Sequence, residues 1–478
     1  MQNKLSKFTE FANGLYPHEL DYLLGVQKFE HPENLKILNL INFNVKNPHN
    51  TIPFDTSIDK RRYSYVKNWI ETSLQVRDVD LFYDWLIGCE KKVLTDMIQA
   101  EEEKELLRKT KEIDPTHYYF IRFYELMRYY RDYLIIRNRT DYYWTIESFL
   151  KANQASYQTA IDLNTRVNRA TEDIVGQYFQ SQAESRQWEE FLQQVFFNKE
   201  IDGYTRYRAA VRLTYMYYNY RDFSNLRSIY EELDRSFQAG IFYSRRILAN
   251  YYANRAMMHS KLGETELAEK YGSLSIRHEN SDFIFYLLNL CGVLLKSNKN
   301  KEALQIMQKS IPLLRKTANY YYRIGFAAFY IRTLNANQMH AEAVDYAETF
   351  HSSYKKEINK NRWHLFYNTY FQALSLNENF GKILSLSRRY NLVEKEKQQI
   401  GEARYLPILL WYTSLADYME GNTSAKTLEQ TIVWSCQMLV ENNYRIRKIK
   451  DLLDELAPFA PEIFQKIIQQ TQLEKLKI

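Results

Sequence analysis

The sequence predicts an all-α chain, most of it a right-handed α-solenoid of helical hairpins. Three observations predict it. The 478 residues include only 13 Gly and 9 Pro, and strands and tight turns consume those residues, so the connections are read as short and the helices as long. Apolar residues recur at spacings of three and four along most of the chain, as they do on one helix face. Small or apolar residues also recur in pairs twelve apart, either side of a polar turn, at intervals near 40 residues.

Taken in order, residues 1–160 read as an all-α N-terminal region. Short helices are expected over "PHELDYLLGVQKF" and "PENLKILNLINFNV", broken by "KNPHNTIPFD", and another begins at "DKRRYSYVKNWIETSLQV". Residues 79–112 read as one long charged helix ending near Pro115, and "THYYFIRFYELMRYYRDYLIIRNRT" as a further amphipathic one. Residues 161–450 carry the repeat, about seven helix pairs joined without an evident linker. Ala268 follows the turn "KLGET", with Ala256 twelve residues before it. The same layout recurs at Trp188 with Gly176, Leu226 with Thr214, Ala303 with Cys291, Ala343 with Ile331, Ile383 with Phe371, and Leu428 with Ala416. A single such pair cannot bury both its apolar faces, so neighbours must stack. Residues 451–478 read as a capping helix or helices.

Composition narrows the function. A net charge of +6 over this length is too dilute for a dense basic stripe. The 40 Tyr bury large rings while keeping hydroxyls wet, which suits a fold with much surface per unit of core. Cys89, Cys291 and Cys436 lie far apart, with no CxxC, metal spacing or disulfide framework, and read as buried thiols in a reducing, cytoplasmic setting. The first residues lack the apolar core of a secretory signal, and no apolar run is long enough to span a membrane, so no membrane partner is expected. Phosphate-loop, nucleophile-elbow, HExxH and kinase signatures are missing, and the nine His do not fall at metal-ligand spacings. No cofactor, metal or catalytic residue is assigned. The Asn-, Lys-, Tyr- and Ile-rich usage fits an AT-rich bacterial source.

The hairpins resemble tetratricopeptide repeats, with degenerate sequence. Leu262–Gly263 precedes "ELAEKY" as the family's Leu-Gly precedes its second helix, and "KEALQIMQKSI" carries the Ala of that helix. Units run near 40 residues against about 34 in the family, the Trp-containing signature is nowhere complete, and the closing Pro is mostly missing. HEAT-type or other α-solenoid geometry stays open. The resemblance implies that first helices line a concave groove that captures a peptide or partner helix. Candidate groove residues are then Arg208, Tyr215 and Tyr218 (with Val211), Asn250 and Met257 (with Ala253), Arg332 and Asn335, and Asn368 and Gln372. Asn and Arg pair with peptide backbone or carboxylate, and Tyr adds rigid contact area. The expected function is a non-enzymatic scaffold, adaptor or regulatory subunit for a protein or peptide. Nucleic-acid binding is the alternative, carried by Arg/Tyr surfaces such as "MRYYRDYLIIRNRTDYYW" at 127–144.

Overall fold

The computed structural model describes residues 5–180, 185–400, 405–437, 439 and 443–471. These form 24 α-helices and two 3-10 turns, with no strand among the described residues. The chain divides into two compact units, Met1–Glu264 with Ser273–Asn280, and Thr265–Gly272 with Ser281–Ile478. The first holds α1 (Ser6–Asn13), α2 (Pro17–Val26), α3 (Pro32–Lys46), α4 (Lys60–Arg77), α5 (Val79–Leu94), α6 (Ala100–Glu112), α7 (Phe120–Ile136), α8 (Thr140–Gln180), α9 (Glu189–Phe197), α10 (Gly203–Tyr220), α11 (Phe223–Gln238) and α12 (Arg245–Leu262). Residues of α13 (Thr265–Ser275) belong to both units. The second holds α14 (Phe283–Lys296), α15 (Asn300–Lys316), α16 (Tyr320–Ala336), α17 (His340–Lys360), α18 (Trp363–Leu376), α19 (Phe380–Tyr390), α20 (Leu392–Lys397), α21 (Ile408–Met419), α22 (Ala425–Gln437), α23 (Asn443–Leu456) and α24 (Pro461–Gln470).

In the first unit α7 packs between α5 and α8, and α10 packs on α8, α9 and α11. The residue-160 boundary lies inside α8, which runs 41 residues without a break. The expected helix over 79–112 is two helices. Asp96 takes φ 58° and the Met97 N–H bonds back to the Lys92 carbonyl at 2.8 Å, which ends α5. In the expected hairpin around Gly176 and Trp188, α8 continues to Gln180 and a 3-10 turn at Ser185–Trp188 leads into α9; turn residues 181–184 lie outside the described residues.

Helix α2 joins the N-terminal helices to the later part of the unit, packing on α3, α4 and α11. Pro17 starts it and the buried Glu19 carboxylate accepts the Tyr16 N–H at 2.7 Å, closing its first turn. The same carboxylate, wholly shielded from solvent, accepts from Tyr243 Oη at 2.6 Å and Arg245 Nε at 2.9 Å. Beside it, His18 Nε2 lies 2.7 Å from Asp234 Oδ1 and His18 Nδ1 2.7 Å from Tyr252 Oη. Asp234 also accepts from Tyr251 Oη and Arg255 Nη1. A carboxylate only accepts, so Nε2 carries the proton facing Asp234.

In the second unit the helices pack in sequence order. Helices α14, α16, α18 and α21 pack each on the next, each also packs on the helix that follows it, and α15 and α17 touch the next pair as well. The residues expected at the hairpin crossings are buried: Ala303, Ile331, Ala343, Phe371, Ile383, Ala416 and Leu428. Trp411 is fully enclosed and donates its indole N–H to Ser435 Oγ at 2.7 Å. Between α19 and α21, the short α20 supplies Glu396, whose carboxylate caps α21 by accepting the N–H groups of Leu409 and Leu410 at 2.9 Å each. The expected C-terminal cap from residue 451 falls within α23 and α24, and residues 472–478 lie outside the described residues.

One backbone turn recurs through both units. At Asp96, Asn138, Arg221, Gly263, Asn298, Gln338, Glu378 and Gly421 a single left-handed residue follows a helix. In each case the next N–H bonds to the carbonyl five residues back, at 2.8–3.1 Å. Gly240 makes the same turn, with the Ile241 N–H on the Ser236 carbonyl at 2.9 Å, so three of the nine are Gly.

Candidate functional site

Three of the expected groove residues come together in the second unit. Arg332 and Asn335 lie one turn apart on α16, and Asn335 Nδ2 donates to Gln372 Oε1 of α18 at 3.3 Å. Two residues that the repeat spacing did not single out complete the cluster. Tyr412, buried on α21, donates to Glu455 Oε1 of α23, and Gln372 bonds the same carboxylate. Burial pushes the Glu455 carboxyl above its ordinary range, against the Tyr412 hydrogen bond and the charge of Arg332. Arg332 itself is exposed, Gln372 and Asn368 are half-buried, and Asn335 is buried with its Oδ1 enclosed and without a donor among the described residues. Helices α16, α18 and α21 therefore bring together a guanidinium, amides and a buried phenol, and in this structure they gather around a carboxylate of the chain's own α23.

In the first unit the expected residues disperse. Arg208 turns to α8, donating to Asn164 Oδ1 at 2.7 Å and to Asn168 Oδ1. Tyr215 is 49% exposed on α10, whereas the Tyr218 ring lies edge-on to Phe223 at 6.5 Å. Asn250 accepts from Asn254 Nδ2 at 3.0 Å within α12, and Met257 is half-buried there. Spacing placed these residues on first helices, but it carries no information on where α8 lies.

The other sequence candidates have structural partners. In the 127–144 segment Arg131 pairs with Asp132 and Glu147, Arg137 with Asp96 at 2.7 Å, and Arg139 with Glu103 at 2.6 Å. His259 is buried with Nδ1 2.5 Å from Glu264 Oε2, and burial holds its imidazole below the usual range. All three Cys are buried free thiols, and burial pushes Cys89 and Cys291 up to about 11 and Cys436 to about 12, leaving little thiolate at neutral pH. Among the described residues no three His, Cys, Asp or Glu side chains are grouped to hold a metal, and no helix is long and apolar enough to cross a membrane.

Asp202, the N-cap of α10, is a buried carboxyl apart from these. Its Oδ1 accepts the Thr205 N–H at 2.9 Å, and burial raises its pKa to about 6. It lines a cavity of about 220 Å³ with Pro115, Ser156, Thr159 and Leu163.

No family model matches the chain, and no curated protein is similar enough to count as a relative.

Proposed function

We propose that the chain is a tetratricopeptide-like helical-repeat protein of the cytoplasm, a non-enzymatic scaffold or adaptor that binds a protein or peptide along first-helix faces. The observation that carries this reading is the order of packing in the second unit, where successive helix pairs from α14 onward lie against one another. Stacking of that kind is how hairpins too small to fold alone acquire a core, and it lines first helices up as one surface. The chemistry of Arg332, Asn368 and Gln372 suits a partner with carboxylates and amide groups.

The test is capture of the partner from the source cells by wild-type chain, by Arg332→Glu and by Asn368→Ala, with and without nuclease. A nuclease-resistant protein recovered at near-equal amount by wild type, and lost from both variants at unchanged thermal stability, supports the reading. Capture that disappears with nuclease, or binding that falls steeply with salt, would replace it with nucleic-acid binding.

A further inference from the structure

The interface of α8 and α10 holds two positive charges with no carboxylate among the described residues to balance them. Arg208 and Arg212 lie one helical turn apart on α10 and face Asn164, Asn168 and Thr171, one to two turns of α8. Arg212 Nε donates to Thr171 Oγ1 at 2.7 Å, and its two terminal nitrogens bond no described residue. Neither guanidinium has an ion pair among the described residues, whereas Arg246 of the same unit is held by Asp80 at 2.7 Å. Half-buried arginines ordinarily find a carboxylate, because desolvating an unbalanced charge is costly. Here burial and the neighbouring Arg208 both weaken the Arg212 cation. The Tyr204 ring lies 5.6 Å from the Arg208 guanidinium and Tyr215 is half-exposed close by, so the pair sits at an accessible edge.

We infer that Arg208 and Arg212 form a binding site for a phosphomonoester dianion. The argument is charge and geometry. Two unbalanced guanidiniums match a group carrying about −1.5 to −2 near neutral pH, whereas one carboxylate would leave a cation unpaired. The free terminal nitrogens of Arg212 supply the parallel N–H pair that phosphate oxygens accept, and the neutral amides and hydroxyl of α8 hold both side chains in place without cancelling their charge. The site does not depend on the groove reading, which used neither Arg212 nor α8.

The test is calorimetric titration of the full chain, at constant ionic strength, with inorganic phosphate, O-phosphoserine and adenosine monophosphate, against acetate and hexaglutamate. Saturable binding of at least one phosphate compound is expected, and none of acetate. Arg208→Met and Arg212→Met should each weaken binding at least tenfold, and Arg212→Lys less than Arg212→Met. The tightest of the three phosphates identifies the source as free phosphate, a phosphorylated side chain or a nucleotide. Should the Met variants lose helical signal, Arg212→Lys decides: it keeps the charge but not the parallel N–H pair, so it should weaken phosphate binding by about threefold or more at native stability, and binding equal to wild type would overturn the site. No phosphate binding, equal binding by folded Met variants, or hexaglutamate binding in place of phosphate would overturn the site.

Discussion

Replacing Asp234 with Ala removes the acceptor on which three donors converge, His18 Nε2, Tyr251 Oη and Arg255 Nη1. Burial by itself would raise the Asp234 pKa, but the His18 hydrogen bond and the Arg255 charge outweigh it and hold the carboxyl at about 2 against 3.8. That difference corresponds to about 2–3 kcal/mol favouring the folded state when Asp234 is ionised. A carboxyl lowered on folding stabilises above its unfolded pKa, so this contribution is present at pH 7 and lost as pH falls from about 4 to about 2. The Ala variant also leaves Arg255, whose side chain is 13% exposed, without its carboxylate, a situation that costs about 3–5 kcal/mol in buried pairs. The expected loss at pH 7 is thus about 3–5 kcal/mol, concentrated where α2 meets α11. Amide hydrogen exchange reads it locally: protection of α2 and α11 should fall by about two to four powers of ten, and Asp234→Asn should erase the loss of protection between pH 4 and 2. Protection of α2 within threefold of wild type in Asp234→Ala would refute the claim that this network holds α2 in place.

Asp202→Asn keeps a helix cap while removing a carboxyl whose pKa burial raises to about 6; a raised carboxyl stabilises below its unfolded pKa and loses that contribution as pH rises from about 4 to 6, so denaturant unfolding should find the variant gaining on wild type by up to about 3 kcal/mol between pH 4 and 7. Glu378→Gly relieves an exposed left-handed residue, φ 54°, and should raise stability by about 1 kcal/mol, read as a higher unfolding midpoint; a lower midpoint would mean the turn is not under strain. Ala303→Trp places an indole in a fully buried crossing of α15 and should destabilise by about 1–3 kcal/mol or more, with wild-type thermal unfolding counting against that crossing.

The helices were legible because the signals for them are local. Few Gly and Pro, apolar spacing of three and four, and small residues at Ala303 and Ala343 each act over one or two turns, and the structure buries both alanines completely. The turn inside residues 79–112 was not legible, since Glu- and Lys-rich segments on both sides of it favour helix and the left-handed residue that ends α5 is Asp96 rather than Gly. The same holds at Arg221, Gln338 and Glu378, where nothing in the residue type announces φ near 55–65°. Of the site, Arg332, Asn335 and Gln372 could be placed by register on successive first helices. Glu455 could not, because its position depends on how α23 folds back onto α21, a contact 43 residues away in sequence from Tyr412. Arg212 escaped for the opposite reason: an Arg next to a Tyr-rich helix face looks ordinary until its partners are seen to be neutral.

The bonds that fasten α2 to α11 and α12 join residues more than two hundred positions apart, His18 to Asp234 across 216 and Glu19 to Arg245 across 226. Translation at about 5–20 residues per second therefore delivers Asp234 roughly 10–45 seconds after His18 has left the ribosome. Through that interval α3 and α4 can already pack on α2, while His18 lacks Asp234 and Glu19 lacks Tyr243 and Arg245. A nascent chain must keep that surface wet until α11 emerges, and chains arrested before residue 234 and after residue 290 should differ in how readily a protease cuts α2.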